Sequence, residues 1–523
     1  HSCERSTTQR SRQVASLNFK VTSDDFLNAS KLFDVVPVHA VIDSISLRPI
    51  DSLKALRSQG EPAFIFESES PEAGASIYAY VCPKAEQVIR TGENEALGDT
   101  NPITVLRERF ESRTIAPISD LPELVTGAFG YIAYEAIKHF EPSVGELPAD
   151  PTGSPTSAML FPAELLVFDR ALDQLHIIVF ATRSQSFETA ETRISNICNS
   201  LKSASNTARQ INDISPVNND QPTQPLHTTH AQLQFQNMVS EARKAIIDGE
   251  LIQVVLGQRV ETQTQADPID IYEQLSTMNP SPYMYMLDLG DMQVIGASPE
   301  LMLRTSNGKA AVHPIAGTRP RGITAEEDLQ FEAELLSNEK ELAEHVMLVD
   351  LARNDLGRVS KPGTVNVKSF KRIERYSHVM HLVSRVASEL ADDKDGIDAF
   401  KAGFPIGTLS GGPKIRSIQL IAELEKEGRG SYCGGIGWFA PNGEVDTGTI
   451  IRSIVLRNGT VHVQGGAGIV FDSDPEAEYL ESLQKAKAPL LAINRAESIR
   501  DHLWRSNENI SPETPHAATI TAE

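Results

Sequence analysis

The chain has 523 residues, with 48 Lys and Arg against 70 Asp and Glu, so its formal net charge is −22. At roughly 100 to 200 residues per domain, this length suits two to four domains or one unusually large fold, and it excludes a small disulfide-stapled module. The acidic balance argues against nucleic-acid binding, and no apolar run approaches the roughly 18 residues of a membrane-spanning helix.

Residues 1–19 are predicted to be a disordered or processed N-terminus. This stretch is rich in Ser and Arg and contains Glu4 as its one acidic residue, a composition also found in transit-peptide remnants. The cysteines are widely separated and form no CxxC pair, which fits a reducing compartment: Cys3, Cys82, Cys198 and Cys433. We therefore expect a cytoplasmic protein, with an organelle as the alternative.

Residues 20–202 alternate short apolar runs with turn signals, which predicts strands. These strands are expected at 63–66, 77–81, 158–168 and 175–180. A polar segment rich in Asn, Gln and Pro then covers residues 203–229 and is predicted to be a linker or surface loop. It separates the first region from residues 230–498, and residues 499–523 are predicted to form a flexible tail.

The second region mixes strands with long helices. Strands are predicted at 251–256, 292–296, 450–456 and 460–464. Apolar residues at helical spacing predict one helix over 325–353, and a second should begin at Pro475, after the capping residue Asp474. Because strands and helices do not alternate one for one, the sequence favours a mixed α+β fold over a doubly wound sheet.

Two pairs of glutamates stand three residues apart on these predicted helices: Glu341 with Glu344, and Glu478 with Glu481. Each pair projects from one helix face, and facing carboxylates suit a hard cation such as Mg²⁺. The alternative is a pair of solvated surfaces, with Lys485 as an i+4 ion partner of Glu481.

Three glycine-rich loops, at 407–414, 434–437 and 465–468, would let backbone N–H groups approach an anion, although plain turns are the alternative. None matches a nucleotide-binding rule. His378 and His381 lie in an HVMH segment that is predicted to be helical. Their spacing does not favour zinc, which leaves acid–base chemistry or packing for His381.

Several longer strings, taken together, carry a resemblance. They are GAFGYIAYEAIKHFE (127–141), PIAGTRPRG (314–322), ELAEHVMLVDLARNDLGRV (341–359), HVMHLVSRV (378–386), GTLSGGPK (407–414), DTGTIIRS (446–453) and VQGGAGIVFDSDPEAEYLES (463–482). In combination they resemble the chorismate-utilising enzymes, and within them the large components of anthranilate synthase. The resemblance is dense from about residue 246 to 493.

The resemblance implies an α+β fold of two stacked, antiparallel-rich sheets flanked by helices. Residues 20–202 would form a regulatory and partner-contact portion, and 230–498 the catalytic domain. It also implies a Mg²⁺-dependent reaction: ammonia attacks C2 of chorismate, the C4 hydroxyl leaves, and elimination of pyruvate gives anthranilate, the first committed step of tryptophan biosynthesis.

The resemblance also assigns roles by position. Glu344 and Glu481 would bind Mg²⁺, with Glu341 and Glu478 reaching the ion directly or through water. The residues expected to hold the enolpyruvyl carboxylate are Tyr432, Arg452, Gly466, Ala467, Gly468 and Lys485. Gly317, Thr318 and Thr408 would line the ring site. Glu300 would protonate the departing C4 hydroxyl. His381 would assist the second step, either by taking the C2 proton or by orienting the intermediate for loss of pyruvate.

Two positions distinguish branches of the family. Ala316 stands where the aminodeoxychorismate branch has Lys, and Gln253 stands where isochorismate and salicylate synthases carry a water-activating Lys. The resemblance therefore implies ammonia as the nucleophile. Two alternatives stay open: an enzyme that stops at aminodeoxyisochorismate, and a non-catalytic regulatory homologue.

The chain contains no recognisable glutaminase domain, so the resemblance implies a separate glutamine amidotransferase subunit as partner. It also implies feedback inhibition by tryptophan, at a site formed by two segments. The expected effector residues are Glu67, Ser68, Pro282, Tyr283 and Met284.

Overall fold

A computed structural model describes residues 17–43, 47–68, 78–208, 226–375 and 379–508. Most of the predicted N-terminus, residues 209–225 of the predicted linker and residues 509–523 of the predicted tail lie outside these ranges. Within them, no helix is both long and apolar enough to cross a membrane.

The helices of the described ranges are α1 (Ser23–Ala29), α2 (Pro49–Leu56), α3 (Pro102–Glu111), α4 (Ile137–Phe140), α5 (Phe187–Ala208), α6 (Gln232–Ile247), α7 (Pro268–Met278), α8 (Ala325–Ser337), α9 (Glu339–Gly357), α10 (Gly396–Gly403), α11 (Gly407–Ser410), α12 (Lys414–Glu425) and α13 (Pro475–Glu508).

The strands are β1 (Asn18–Phe19), β2 (Val35–Asp43), β3 (Ala63–Ser68), β4 (Tyr78–Thr91), β5 (Ala128–Ile132), β6 (Ser157–Asp169), β7 (Gln174–Thr182), β8 (His227–Thr228), β9 (Gln253–Gln263), β10 (Tyr283–Asp288), β11 (Met292–Ser298), β12 (Leu301–Ser306), β13 (Lys309–Val312), β14 (Ile315–Pro320), β15 (Asn366–Arg375), β16 (Val379–Glu389), β17 (Gly411–Gly412), β18 (Gly435–Phe439), β19 (Val445–Thr449), β20 (Ser453–Arg457) and β21 (Thr460–Ile469).

The strands form two layers that share the long β4–β6 pair. One layer runs β9-β21-β20-β11-β10-β3-β4-β6-β7-β2, and the other continues from β6 through β5-β18-β19-β12-β13-β16. A register shift between Val81 and Gln87 of β4 allows this pair to serve both layers. Every pairing between these strands is antiparallel.

An aromatic core lies between the two layers. The ring of Phe64, on β3, lies 4.4 Å from that of Phe129 on β5 and 5.6 Å from that of Trp438 on β18, centroid to centroid. All three side chains are fully buried. Burial of each such ring stabilises the fold by roughly 2 to 3 kcal/mol, so this contact holds the sheets together. The predicted α+β fold of stacked antiparallel sheets is confirmed.

The two regions of the sequence are interleaved in this architecture. Strand β3, from 20–202, pairs along its length with β10, from 230–498, and β5 pairs in the same way with β18. Helix α5 extends through Ala208, into the segment predicted as a linker. The N-terminal region is therefore part of both sheets.

The prediction of a single helix over 325–353 is wrong, because the helix is interrupted at Asn338. This residue has non-helical torsion angles, and its side chain accepts a hydrogen bond from the Glu341 N–H, 3.0 Å away. It thereby ends α8 and caps α9, a role that Asn fills well. The break places Glu341 in the first turn of α9, with Glu344 one turn further on.

The prediction of a helix at HVMH is also wrong. Residues 379–389 form β16, which pairs with β13 and β14 on one side and β15 on the other, while His378 lies outside the described residues. Alternation explains the difference: Met380 and Leu382 are buried on one face of the strand, and His381 faces the other way.

Helix α13 begins at Pro475 as predicted. The Asp474 side chain accepts hydrogen bonds from the N–H groups of Glu476 and Ala477, which caps the helix. The helix continues to Glu508, into the predicted tail, and packs against β21, α6 and α7. It presents Glu478, Glu481 and Lys485 on the side that faces β21.

Candidate active site

A cavity of about 590 Å³ opens between β9, β21, α9 and α13. It gathers nearly all of the predicted catalytic, substrate and metal residues: Gln253, Glu300, Gly317, Thr318, Glu341, Glu344, His381, Thr408, Tyr432, Arg452, Gly466, Gly468, Glu478, Glu481 and Lys485. Ala467 is the exception. Its side chain lies on the opposite face of β21, buried in an apolar cluster with Phe235 and Leu420, because successive residues of a strand face opposite sides.

Four glutamates form one wall of the cavity: Glu341 and Glu344 from α9, and Glu478 and Glu481 from α13. Burial raises the pKa of Glu344, and the neighbouring charges of Glu341 and Glu481 add to the shift. Burial and the Glu481 charge likewise raise the pKa of Glu478. The wall therefore concentrates negative charge, poorly solvated at Glu344 and Glu478, which a divalent cation would neutralise.

Nearby groups already engage all four carboxylates, Glu478 through a hydrogen bond with Ser473. Glu344 accepts a hydrogen bond from Gln253 at 3.0 Å, Glu341 pairs with Arg319 at 2.8 Å, and Glu481 pairs with Lys485 at 2.7 Å. Among the described residues, no three His, Cys, Asp or Glu side chains stand close enough to surround an ion. The hard oxygen donors fit Mg²⁺ chemically, and binding would require them to leave Arg319 and Lys485.

The residues beside the glutamates suit a carboxylate. Arg452 lies beside Tyr432, and the Lys485 ammonium donates a hydrogen bond to the Gly466 carbonyl at 2.8 Å. A β-carbon on Gly466 would stand 2.7 Å from the Leu256 carbonyl oxygen and 2.9 Å from the Tyr432 hydroxyl, so only glycine fits there. The planar guanidinium can donate two hydrogen bonds to a carboxylate, and the glycine backbone leaves space for the carboxylate to approach.

Glu300 lies in the turn between β11 and β12 and is 5% exposed. Burial raises its pKa to about 7, against the opposing effects of a hydrogen bond from Thr408 and the charge of Lys485. The Thr408 hydroxyl donates to the carboxyl oxygen at 2.7 Å. A carboxyl group that is partly protonated near neutral pH can act as a general acid.

His381 lies on β16 with its Nδ1 atom 3.2 Å from the Gly317 carbonyl oxygen and 3.1 Å from the Thr318 hydroxyl. A carbonyl only accepts, so Nδ1 carries the hydrogen and Nε2 carries the lone pair. Burial lowers the pKa of His381 and the nearby Arg452 charge lowers it further, which keeps the ring neutral and able to take a proton.

Sequence reasoning missed several residues of this cavity. Arg319, Asn338, Lys340 and Gln464 either line it or hold its glutamates. Arg319 belongs to one of the motif strings, PIAGTRPRG, but nothing in that string shows that it would reach Glu341, because the contact crosses from β14 to α9.

The predicted effector residues lie away from this cavity, on the β3–β10 pair. Ser68 is opposite Tyr283, and Glu67 is opposite Met284. Glu67 accepts a hydrogen bond from the Tyr272 hydroxyl at 2.7 Å on one face, whereas the Tyr283 hydroxyl donates to Asp446 at 2.8 Å on the other. The strands bring four of the five residues together, but on both faces of the sheet.

Comparison with known proteins agrees with this architecture. The family model for chorismate binding enzymes matches residues 61–491. The chain belongs to this family of chorismate-binding enzymes.

Its curated relatives are named anthranilate synthase component 1. That of Streptomyces coelicolor is 42% identical over 89% of this chain and 90% of its own length, and that of Acetivibrio thermocellus is 39% identical over 92% and 100%. The crystal structure of anthranilate synthase component I from Streptococcus pneumoniae is 34% identical, covers 85% of this chain and 97% of its own, and superimposes with a TM-score of 0.68.

Proposed function

We propose that this enzyme is the component I subunit of an anthranilate synthase, which converts chorismate and ammonia into anthranilate, pyruvate and water. The observation that carries the proposal is one cavity that combines a buried acid, Glu300, a neutral base, His381, a carboxylate pocket at Arg452 and a wall of four glutamates. The names of the relatives support the same reaction.

Binding is the first task of these residues. Arg452, Tyr432 and the Gly466–Gly468 backbone would hold the enolpyruvyl carboxylate, and Lys485 would lie beside it. Glu344 and Glu481, with Glu341 and Glu478, would hold Mg²⁺. The ion, when bound, would supply positive charge opposite the ring carboxylate. Arg452 and Lys485 carry fewer positive charges than the four glutamates carry negative ones. The bound cation would therefore also balance the charge of the dianionic substrate.

The next step is amination, for which Glu300 is the general acid. The lone pair of ammonia forms the C2–N bond while both ring double bonds shift and the C4–O bond breaks. Glu300 gives its proton to the leaving hydroxyl, which departs as water, and Thr408 orients the acid. Glu300 regains a proton in balance with the one that the new ammonium group releases. Gln253 offers no base for water, which leaves ammonia as the better nucleophile.

Elimination then uses His381. Nε2 takes the C2 proton, the electrons of the C2–H bond complete the aromatic ring, and the C3–O bond breaks. The side chain leaves as the enolate of pyruvate, which gains a proton at its methylene carbon in balance with the one that His381 has taken. The neutral ring that burial maintains suits this step. Gly317 and Thr318 hold the imidazole in the required tautomer.

We also propose a separate glutamine amidotransferase subunit as the source of ammonia, cytoplasmic location, and tryptophan inhibition through the β3–β10 residues. Three buried, free cysteines among the described residues support a reducing location: Cys82, Cys198 and Cys433. The pairing of Ser68 with Tyr283 supports an effector site at this end of the β3–β10 pair.

The decisive experiment incubates the purified chain with chorismate, Mg²⁺ and ammonium at pH about 8. Anthranilate is followed by fluorescence and pyruvate by a coupled dehydrogenase. We expect both products in equal amounts, inhibition by added tryptophan, and no Mg²⁺-dependent turnover in Glu481→Gln. Glu476→Gln, an exposed residue on the same helix, is the control.

Three outcomes would contradict parts of the proposal. Absence of both products would overturn the reaction itself, and an aminated product without pyruvate would establish the enzyme that stops at aminodeoxyisochorismate. Full activity of Glu481→Gln would remove Glu481 from the metal site. Equal tryptophan inhibition of the wild type and Ser68→Phe would remove Ser68 from the effector site.

A further inference from the structure

Arg429 lies immediately behind the active-site cavity, in the loop between α12 and β18, and is fully buried. It does not line the cavity. We propose that Arg429 is a positioning residue for chorismate: it fixes the wall residues that shape the carboxylate pocket and the short helix α11, which carries Thr408. The identity of the ligand in this inference rests on the proposed function.

The guanidinium group makes contacts in several directions. One nitrogen donates to the Leu409 carbonyl at 3.0 Å and to the Cys433 sulfur at 3.5 Å, and another donates to the Val255 carbonyl at 2.7 Å. The Glu425 carboxylate pairs with it at 2.6 Å and 3.0 Å. One charged group therefore joins β9, α11, α12 and the loop before β18.

The neighbours of Arg429 are themselves the cavity wall. Val255, Leu409, Tyr432 and Gln464 all line the cavity. The guanidinium carbon lies 5.7 Å from the centre of the Tyr432 ring, on which it acts as a cation over an aromatic face. The Gln464 amide donates to the Arg429 carbonyl at 2.9 Å. Three wall residues thus contact the Arg429 side chain, and a fourth, Gln464, contacts its backbone.

Glu425 extends the same network. Its Oε1 atom also accepts a hydrogen bond from the Gly257 N–H at 2.7 Å, on the strand that carries Gln253 and Val255. On the other side, the Arg429 N–H donates to Glu135 at 2.6 Å, and the Tyr134 ring lies 4.9 Å from the guanidinium. Satisfied hydrogen bonds on every side explain why a buried charge pair is tolerated here.

A positioning role and a purely structural role predict different effects of substituting Arg429. If Arg429 served the fold alone, a variant would contain a smaller fraction of folded protein, and the folded molecules would bind chorismate normally. If Arg429 positions the pocket, folded variants bind chorismate weakly, while the KM for ammonia stays the same because ammonia makes no carboxylate contact.

Two variants separate these roles. Arg429→Lys keeps the charge, but one ammonium cannot reproduce the planar fork that reaches Leu409, Val255 and Glu425 together. The double variant Arg429→Met with Glu425→Gln removes both charges, so that no carboxylate is left buried without a partner, and its amide oxygen still accepts from Gly257. The control is Arg57→Met with Asp288→Asn, at another buried ion pair, which joins at 3.0 Å remote from the cavity.

The measurements are the Kd for chorismate by titration calorimetry with Mg²⁺, the KM for chorismate and for ammonium, and thermal unfolding. We expect both Arg429 variants to raise the Kd and KM for chorismate at least tenfold, with the KM for ammonium within twofold of wild type. The control should leave all three constants unchanged.

The inference is overturned if either Arg429 variant, folded by near-ultraviolet circular dichroism, binds chorismate within twofold of wild type. It is also overturned if the control weakens chorismate binding as much as the Arg429 variants do. Failure of the wild type to bind chorismate would instead overturn the proposed function, so the two failures are distinguishable.

Discussion

At the scale of single residues, Glu300 shows how surroundings set chemistry. A free glutamate would be ionised at neutral pH, but burial raises the pKa of Glu300 to about 7. Its one hydroxyl partner, Thr408, favours the ionised form and therefore holds the pKa below the value that burial alone would give. Two residues that are distant in sequence thus tune the acid of the proposed reaction.

This balance predicts a shift in the pH profile of Thr408→Val. As a general acid, Glu300 is active when protonated, so kcat/KM falls as the pH rises through about 7. Removal of the hydrogen bond raises the pKa of Glu300, and the alkaline limb should move by roughly half a pH unit or more toward higher pH. Ser410→Ala, on the same short helix, lacks contact with Glu300 and is the control. An unchanged limb in Thr408→Val would contradict the role of this hydrogen bond.

The site shows which residues sequence reasoning can and cannot assign. The motif strings pointed to Glu344, Glu481, Arg452 and Glu300, and the structure brings them into one cavity. Arg319, which pairs with Glu341, and Arg429, which pairs with Glu425 behind the cavity, were not identified. Such contacts cross between elements, and no local spacing pattern predicts them.

At the scale of elements, strong local patterns predicted the structure well. The strands β3, β6 and β7 lie where alternating apolar runs placed them, and α13 begins at the predicted cap and proline. The break at Asn338 was missed because the apolar spacing continues across it. The strand β16 was mistaken for a helix because the HVMH string alone is compatible with both periods.

A buried histidine pair links β2 and β7 and predicts a stability change in acid. His39 Nε2 lies 2.9 Å from His176 Nδ1, and both rings are buried. Burial lowers the pKa of His39 to about 3, with the His176 charge as a second cause, and burial also lowers the pKa of His176. The folded protein therefore holds neutral rings that the unfolded chain would protonate below its ordinary pKa of about 6.5.

The sign of the effect follows from this difference. Between pH 6.5 and 3 the unfolded chain binds more protons than the folded protein does. The stability that the neutral rings contribute is therefore full above about pH 6.5 and falls as the pH decreases. The loss is up to about 1.4 kcal/mol per pH unit for one such group. We expect the free energy of unfolding of His39→Gln, measured with urea, to fall less between pH 7 and pH 5 than that of the wild type. His227→Gln, at an exposed position, is the control, and an equal loss in all three proteins would contradict the prediction.

At the scale of the whole molecule, the two regions of the sequence cannot fold apart. Strands β3 and β5 each need a partner from beyond residue 280, and the aromatic core between the layers takes Phe64 and Phe129 from one region and Trp438 from the other. The sequence predicted a boundary at 203–229 because composition changes there, but composition carries no information about which strands pair.

This interleaving predicts the behaviour of a divided chain. If the chain is split between Ser215 and Pro216, each half exposes unpaired strands and half of the aromatic core, so each should be insoluble when expressed alone. Co-expressed halves should purify as one complex that retains chorismate binding, measured by calorimetry. A soluble, folded N-terminal half with a cooperative thermal transition would contradict the prediction.

The pairing of β5 with β18 also bears on synthesis at the ribosome. Ile132 pairs with Gly435, 303 positions later in the chain. At about 5 to 20 residues per second, the emerging N-terminal region waits roughly 15 to 60 s before its partner strand exists. For that time the edge of β5 that later receives β18, and the rings that later pack on Trp438, lack these native partners, and such an open strand edge favours aggregation of the nascent chain.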